Sequence, residues 1–424
     1  MTYYLLPRGN LNVYHELSYR GSSIDYGDDG NHADHSNPII ISNSVAQYLY
    51  GMKENIDDKE RKWDTFKKYT NPCEYIHTMV PFKKKSVAKN KPISRSYFKM
   101  IELLHIFPIF PVGKSSSHSH SISTFHLAEA PGGFIEAIGR TRRDSCTGNM
   151  DRYYGMTLLD QTDTTVPTWK KGDFMHDFSA NVLLENGVDG TGNILSLDNF
   201  VDICSPESKK EYVGNMDIVT GDGGFDFSTD FNQQEIAIGK LLFAQIAYAA
   251  CLQKRGGSFV LKIFDSFMAH TVDLIYLLTT MYEKVYIVKP QTSRYANSEK
   301  YLVCMGFLHD NKRVYPYFHA CFRDMVLQNE ENLCKKEMGR FMKIRPSFLF
   351  LQKMEEYNAI YAQKQMMNIQ YTITLIESKN KHEKIENLIQ TNVQKSTNWC
   401  IKYGVPYHTI TFPTATNVFM HDNN

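Results

Sequence analysis

Along the middle of the chain, short apolar runs alternate with segments whose apolar positions recur at helical spacing. The runs are Ser123-Thr-Phe-His-Leu127, Arg152-Tyr-Tyr-Gly-Met-Thr-Leu-Leu159, Met216-Asp-Ile-Val-Thr220, Ser258-Phe-Val-Leu-Lys-Ile-Phe264, Lys284-Val-Tyr-Ile-Val288 and Lys300-Tyr-Leu-Val-Cys304. Runs of this length bounded by glycine and polar residues read as buried strands. Between them, Ile135-Glu-Ala-Ile138, residues 232–254 and residues 270–282 read as helices, and Ser94-Arg-Ser-Tyr-Phe-Lys-Met-Ile-Glu-Leu-Leu104 precedes them as another. In the 232–254 helix, Ile236, Phe243, Ile246, Ala247 and Ala250 share a face that is core and nothing more; Gly256-Gly257 closes it. Strand and helix in repeated succession predict an α/β fold on a largely parallel sheet. The last two strands are joined by a loop with no helix in it, which predicts an antiparallel finish.

Outside this region the pattern changes. Residues 1–90 show little periodicity and form an N-terminal extension; 91–310 is the α/β core; 311–424 is mainly helical. In the last part Phe350, Met354, Tyr357 and Tyr361 share one face and Ile385, Leu388 and Ile389 another, which reads as a buttress for the core ahead of a partner surface or RNA clamp.

The chemistry concentrates where strands end. Ala128-Glu129-Ala130-Pro131-Gly132-Gly133-Phe134 is a tight turn between a strand and a helix, and glycines without a Cβ let a ligand approach the backbone there. By itself such a turn is weak, since crossovers that bind nothing share it. Asp160 follows the second strand, where carboxylates accept from ribose hydroxyls or simply cap a turn; the two readings weigh evenly. Asp222 follows the Met216 run, and a glycine-dense loop spans Asn186-Gly-Val-Asp-Gly-Thr-Gly-Asn-Ile194. Lys262 interrupts an apolar strand, and a buried lysine requires either a carboxylate partner or a use.

Composition narrows the field only a little. At 424 residues, 42% hydrophobic and 13% aromatic, the chain is an ordinary globular protein. Lysine and arginine (47) nearly balance aspartate and glutamate (46), so a nucleic-acid contact must be a local patch, such as Lys83, Lys84, Lys85, Lys89, Lys91 and Arg95. A lysine run is more often a solvated face. The eight cysteines show no metal or redox spacing and read as free thiols in a reducing compartment. The Asp- and His-rich stretch 27–35 and the polar stretch 114–121 with its two histidines read as loops, so no metal site is expected. No signal stretch stands at Met1, and no window is expected to reach the roughly 18 apolar residues of a membrane span. The expectation is a cytoplasmic protein, neither secreted nor membrane-bound.

Taken together, these residues resemble the FtsJ-like (RrmJ-type) ribose 2'-O-methyltransferases, most closely the cap-specific messenger-RNA enzymes of eukaryotes and large cytoplasmic DNA viruses. The resemblance covers 91–307 and rests on Ser94-Arg95-x-x-Phe98-Lys99, Glu129-Ala-Pro-Gly-Gly-Phe134, Tyr154-Gly-Met-Thr-Leu158, Asp189-Gly-x-Gly-x-Ile194, Asp222-Gly-Gly-Phe225, Leu261-Lys-x-Phe264 and Lys289-Pro-x-x-Ser-Arg-x-x-Asn-Ser-Glu299, in the family's order. It implies a Rossmann-like seven-stranded sheet with a last antiparallel strand, a Lys-Asp-Lys-Glu tetrad at Lys99, Asp222, Lys262 and Glu299, and S-adenosylmethionine over the glycine turn. The cofactor contacts then fall on Glu129, Ala130, Pro131, Gly132, Gly133, Phe134, Asp160, Asn193 and Asp222. The implied partners are capped messenger RNA and, beyond it, capping or transcription machinery. RNA contacts are expected at Lys83, Lys84, Lys85, Arg95, Phe225, Arg294 and Tyr295, with Phe227 a further loop aromatic. Two positions depart from the family: His126 stands where an acidic residue is usual, and Asn193 where an adenine-accepting carboxylate is usual. A non-catalytic RNA-binding or accessory subunit built on the same fold is the alternative, and ribosomal RNA is a third possible substrate.

Physical chemistry agrees with the resemblance. Activating a ribose hydroxyl toward a sulfonium methyl needs a base and in-line placement, and a lysine buried beside a second ammonium supplies an uncharged amine. Lys262 is the candidate base, Lys99 the second cation, and Asp222 and Glu299 their orienting carboxylates.

Overall fold

The computed structural model describes residues 3–10, 13–20, 41–111, 121–143, 150–160, 162–163, 166–169, 181–224, 232–331, 339–379 and 381–412. Phe225, Phe227, the 27–35 stretch, residues 114–120, Cys146 and Cys334 lie outside them. Eight strands form the main sheet: β1 (Tyr3–Leu5), β3 (Ser123–Leu127), β4 (Arg152–Met156), β5 (Val182–Leu184), β6 (Met216–Gly221), β7 (Gln253–Ile263), β8 (Tyr282–Val288) and β9 (Lys300–Phe307). Their order is β1-β8-β9-β7-β6-β3-β4-β5. Strands β3 to β7 run parallel, and β9 is inserted antiparallel between β7 and β8. This is the expected seven-stranded arrangement with its antiparallel finish. The extension adds an eighth strand, because β1 pairs antiparallel with β8, Tyr4 opposite Ile287. A small second sheet joins β2 (Leu17–Arg20) to β10 (Arg340–Met342).

The helices are α1 (Asn43–Glu54), α2 (Glu60–Tyr69), α3 (Ser96–Ile106), α4 (Gly133–Arg143), α5 (Leu197–Cys204), α6 (Gln234–Leu252), α7 (Ala269–Met281), α8 (Asn311–Glu331), α9 (Phe348–Glu377) and α10 (Lys381–Lys402). Helix α6 corrects one expectation. By length and composition it is apolar enough to cross a membrane, with mean hydropathy 1.5, and 83% of it is buried. It packs against β6 and β7 and also against α8, and a helix covered on several sides is apolar all round rather than striped. Another difference is at its end: β7 starts at Gln253, so Gly256 and Gly257 lie inside the strand rather than closing the helix.

The described residues form two compact units. The first comprises Met1–Asn55 and Pro92–Met367, the second Ile56–Lys91 and Asn368–Asn424. The expected division at 90 and 310 follows the chain, whereas each outer region contributes to both units. In the first, Phe350, Met354, Tyr357 and Tyr361 are buried; the Tyr357 hydroxyl donates to the Leu5 carbonyl at 2.9 Å and Tyr4 stacks on Tyr357. That face of α9 buttresses the β1 edge. In the second, Asn392 Nδ2 donates to the Tyr69 carbonyl at 2.7 Å, the Thr70 and Thr372 hydroxyls meet at 2.7 Å, and Trp63, Tyr75, Val393 and Trp399 are buried.

Candidate active site

The parallel strands deliver their carboxyl ends to one edge of the sheet, where side chains leave the hydrophobic interior. Helix α3 is brought to this edge by Gly133: a Cβ there would collide with Ser94 and Ser96 Oγ, so only glycine lets α4 seat against the start of α3. Lys99 on α3 and Glu299 just before β9 meet with Nζ to Oε2 at 2.7 Å, both nearly buried. Three side chains hold the 289–299 loop in place. Glu102, one turn along α3, accepts from the backbone N–H groups of Gln291 (2.9 Å) and Thr292 (3.3 Å), while Arg95 Nη2 donates to the Thr292 carbonyl at 3.2 Å. Lys289 Nζ donates to the carbonyls of Asn297 (2.7 Å) and Glu299 (2.8 Å). The loop is clamped from both ends.

The second pair lies alongside. Lys262 near the end of β7 donates to the Asp222 carbonyl at 2.5 Å and stands 3.3 Å from its Oδ1. Tyr301 joins the pairs: its hydroxyl donates to Asp222 Oδ1 at 3.1 Å and its ring lies 5.9 Å from Lys99 Nζ. The four charges act on one another. Burial lowers the Lys99 pKa, against the opposing pull of Glu299 and Asp222. Burial works to raise Glu299, yet Lys99 and then Lys262 hold it well below the usual carboxylate range. Burial, reinforced by Asp222 and Glu299, raises Tyr301 well above the usual phenol value, so it stays a donor. The tetrad is not saturated. Glu299 is 8% exposed, and its Oε1 has no hydrogen-bond partner among the described residues. Lys262 and Asp222 are partly exposed, their side chains 12% and 14%.

The turn at the end of β3 is shaped by its own residues. Glu129 is buried and accepts from the Phe134 N–H at 2.5 Å and more loosely from Ile135, capping α4. Burial raises its pKa well above the usual value. Its carboxylate thus builds the turn. Gly132 takes a φ of 112°, Ala130-Pro131 is cis, and Phe134 is fully buried. Asp160 lies near the surface beyond β4; its Oδ1 accepts from the N–H and hydroxyl of Thr162 and the N–H of Asp163, and those bonds, the hydroxyl's first, lower its pKa. Among the described residues its Oδ2 has no hydrogen bond.

The two departures from the family pattern have local explanations. His126 is buried with Nε2 2.8 Å from the Thr124 hydroxyl and Nδ1 2.7 Å from that of Thr220, and burial lowers its pKa to about 3, leaving a neutral ring satisfied within the sheet. Asn193 Oδ1 already accepts from the Leu195 N–H at 2.9 Å.

Of the expected RNA contacts, Arg95, Arg294 and Tyr295 lie half-buried at this edge. Lys83, Lys84 and Lys85 belong to the second unit, beside a fully exposed Phe82 whose φ is 66°. Sequence reasoning missed Tyr301, Glu102, Lys289 as a clamp, and Trp169, whose ring lies 3.6 Å from where a Gly132 Cβ would stand and packs on Gly155. For Glu102 a signal existed: a carboxylate on the same helix as Lys99, in an otherwise apolar segment.

The FtsJ-like methyltransferase family model matches residues 92–307. Among individual relatives, "Cap-specific mRNA (nucleoside-2'-O-)-methyltransferase 1" of Trypanosoma brucei brucei is 33% identical over 202 residues, 47% of this chain and 53% of that protein. The enzyme of the same name from Dictyostelium discoideum is 30% identical over 67% of this chain and 36% of its own, and the Drosophila melanogaster methyltransferase 2 is 26% identical over 80% and 46%. The chain thus spans about half the length of these relatives, or less. The family match takes in just over half of the 424 residues and every member of the tetrad, and the chain belongs to the FtsJ-like methyltransferase family.

Proposed function

We propose that this protein transfers a methyl group from S-adenosylmethionine to a ribose 2'-hydroxyl of RNA, at the cap-proximal nucleotide of messenger RNA. The observation that carries the reading is the convergence of Lys99, Asp222, Lys262 and Glu299 at the carboxyl edge of the sheet, with the Lys262 and Asp222 side chains still partly exposed. The names of the relatives support the capped substrate.

The residues present suit the cofactor. Gly132 has no Cβ to hold a ligand off, and a ligand reaches it only when the Trp169 ring that lies over it and packs on Gly155 moves aside. Asp160 Oδ2 is left for ribose hydroxyls. When bound, S-adenosylmethionine supplies an electrophilic methyl on a sulfonium. Lys262, which donates to the Asp222 carbonyl and pairs with its Oδ1, is the base that takes the proton of the substrate hydroxyl. Lys99, held by Glu299, adds positive charge beside the oxygen as negative charge develops there. Glu299 orients Lys99, and Tyr301 keeps Asp222 oriented. Arg95, Arg294, Tyr295 and, in the second unit, Phe82 with Lys83, Lys84 and Lys85 are the proposed RNA contacts. Buried free cysteines at 73, 204, 251, 304, 321 and 400 support a reducing, cytoplasmic setting. Capping or transcription machinery is the proposed protein partner.

A second reading, a non-catalytic RNA-binding subunit, is favoured by Asn193, whose oxygen is committed to Leu195, and by the neutral His126. The two are separated by titrating S-adenosylmethionine calorimetrically and following labelled methyl transfer onto capped and uncapped RNA. Cofactor binding with cap-dependent transfer establishes the first; RNA binding without cofactor binding establishes the second.

A further inference from the structure

The ribbon formed by β7 and β9 carries buried charge on both of its faces. Lys262 is paired with Tyr301, and Ile263 with Lys300. In an antiparallel pair, residues directly opposite share a face and successive residues alternate between faces. Lys262, Tyr301 and, two positions before it, Glu299 therefore belong to one face, that of the tetrad. Ile263 and Lys300 belong to the other, and the same alternation carried two residues past this last pair adds Asp265 and Ser298 to it.

The contacts follow that division. The Ser298 hydroxyl donates to Asp265 Oδ2 at 2.9 Å, and Lys300 Nζ stands 3.8 Å from Oδ1. Asp265 thus holds both chain neighbours of Glu299, one on each carboxylate oxygen. Gln365 Nε2 of α9 donates to the Ser298 hydroxyl at 3.3 Å and to the Ala296 carbonyl at 3.1 Å, which leaves the hydroxyl proton for Asp265. Lys53 on α1 pairs with Asp265 Oδ2 at 2.7 Å. Asp265, Ser298 and Lys300 are all buried. Burial works to raise the Asp265 pKa, yet Lys53 and then Lys300 hold it below the ordinary value, so the group that grips the chain is an anion.

This arrangement decides where Glu299 points. With residues 298 and 300 turned toward Asp265, the side chain between them turns the opposite way, to Lys99 at 2.7 Å. A slip of one residue would exchange the faces, setting Glu299 against Asp265 and Lys300 among the tetrad. Asp265 follows Lys262 by three positions, so one short segment supplies a member of the tetrad and anchors another.

We propose that Asp265 is a positioning residue for the tetrad: by holding Ser298 and Lys300 it fixes the direction of Glu299, and Lys53 from the N-terminal extension keeps it charged for that task. The catalytic consequence rests on the methyl transfer proposed above, whereas the hold on the chain does not.

Asp265→Ala would strand two buried ammonium groups and so test folding, and the experiment therefore uses Ser298→Ala, which removes one hydroxyl. In the full chain, kcat for methyl transfer to capped RNA is expected to fall about five- to tenfold, with KM for RNA and for S-adenosylmethionine unchanged. A double-mutant cycle separates positioning from general weakening. In a Glu299→Gln background, Ser298→Ala is expected to cost less than about twofold, because the carboxylate that Ser298 orients is already gone. Hydrogen exchange read by mass spectrometry over residues 298–303 does not depend on activity, and faster exchange is expected there in Ser298→Ala. An unchanged kcat overturns the proposal, as does a loss that adds in full to that of Glu299→Gln. Unchanged exchange over 298–303 overturns it whatever the activity. Faster exchange in a chain that transfers no methyl group, substituted or not, upholds the hold of Asp265 on the chain and removes the function assigned to the tetrad.

Discussion

Two buried quartets of charge lie in the first unit, and each contains two lysines and two carboxylates. One is the tetrad Lys99, Asp222, Lys262 and Glu299. The other is Lys53, Asp265, Lys300 and Glu235, in which Lys53 Nζ meets Asp265 Oδ2 at 2.7 Å and Lys300 Nζ stands 3.8 Å from Oδ1. The second quartet is closed. The Ser298 hydroxyl also donates to Asp265 at 2.9 Å, and Glu235 accepts from the N–H groups of Phe267 and Met268, at 3.2 and 2.8 Å. The tetrad is open by comparison, with side chains of Lys262 and Asp222 that are 12% and 14% exposed. Inward lysines and carboxylates in equal number therefore do not by themselves mark a catalytic site. What sets the tetrad apart is its place at the carboxyl ends of the parallel strands, with Lys262 and Asp222 still partly exposed.

This contrast can be broken at several points. The largest effect is expected from Lys262→Ala, which should lower methyl transfer by about 10⁴-fold, near 5 kcal/mol in the barrier, while denaturant unfolding stays close to that of the unsubstituted chain. Transfer that persisted would remove Lys262 as the base. Next is Lys53→Met, which leaves Asp265 buried with its nearest cation gone; a stability loss of about 3–5 kcal/mol is expected in urea unfolding. A neutral result would mean that the closed quartet is not structural.

The pH dependence sharpens the comparison. Burial, then Asp265, raises Glu235 to about 7, so between its unfolded value near 4.5 and pH 7 the folded state holds the extra proton. The sign follows: stability contributed by this proton is present below about pH 4.5 and is lost as pH rises to 7, on the order of 3 kcal/mol. Melting curves should show Glu235→Gln flattening that slope. Glu299 is shifted the other way, so its contribution is present at neutral pH and is lost as pH falls below the ordinary carboxylate range. Thus Glu299→Gln should leave the slope between pH 5 and 7 unchanged. The smallest effect is expected from Tyr301→Phe, which deletes the bond to Asp222 but keeps the ring: about tenfold in rate, with a stability change of roughly 1 kcal/mol or less.

Asp222 and Lys262 were legible in the sequence because they stand at or near the ends of apolar runs, where a parallel sheet places its chemistry, whereas Lys99 and Glu299 were reached only through the family resemblance. The antiparallel finish was legible too, from the missing helix between β8 and β9. The closed quartet was not, since Lys53 and Asp265 are 212 positions apart and Lys53 sits in a stretch with little periodicity. Strand β1 escaped notice for a related reason. Its three residues alternate exposed, half-buried and exposed, too brief a pattern to stand out. Helix α6 misled in another way: its apolar residues encircle it because both the sheet and α8 cover it, so no face-specific pattern reports its depth.

Lys53 has a consequence for anyone cutting this protein down. A fragment trimmed to the family's homology limits at 92 and 307 would discard α1, its ammonium group and the edge strand at Tyr3–Leu5, leaving Asp265 without its closest counterion and the rim of β8 bare. Inactivity of such a fragment would report a broken scaffold and say nothing of the chemistry. The smallest dependable piece starts well upstream of the region that evolution makes recognisable.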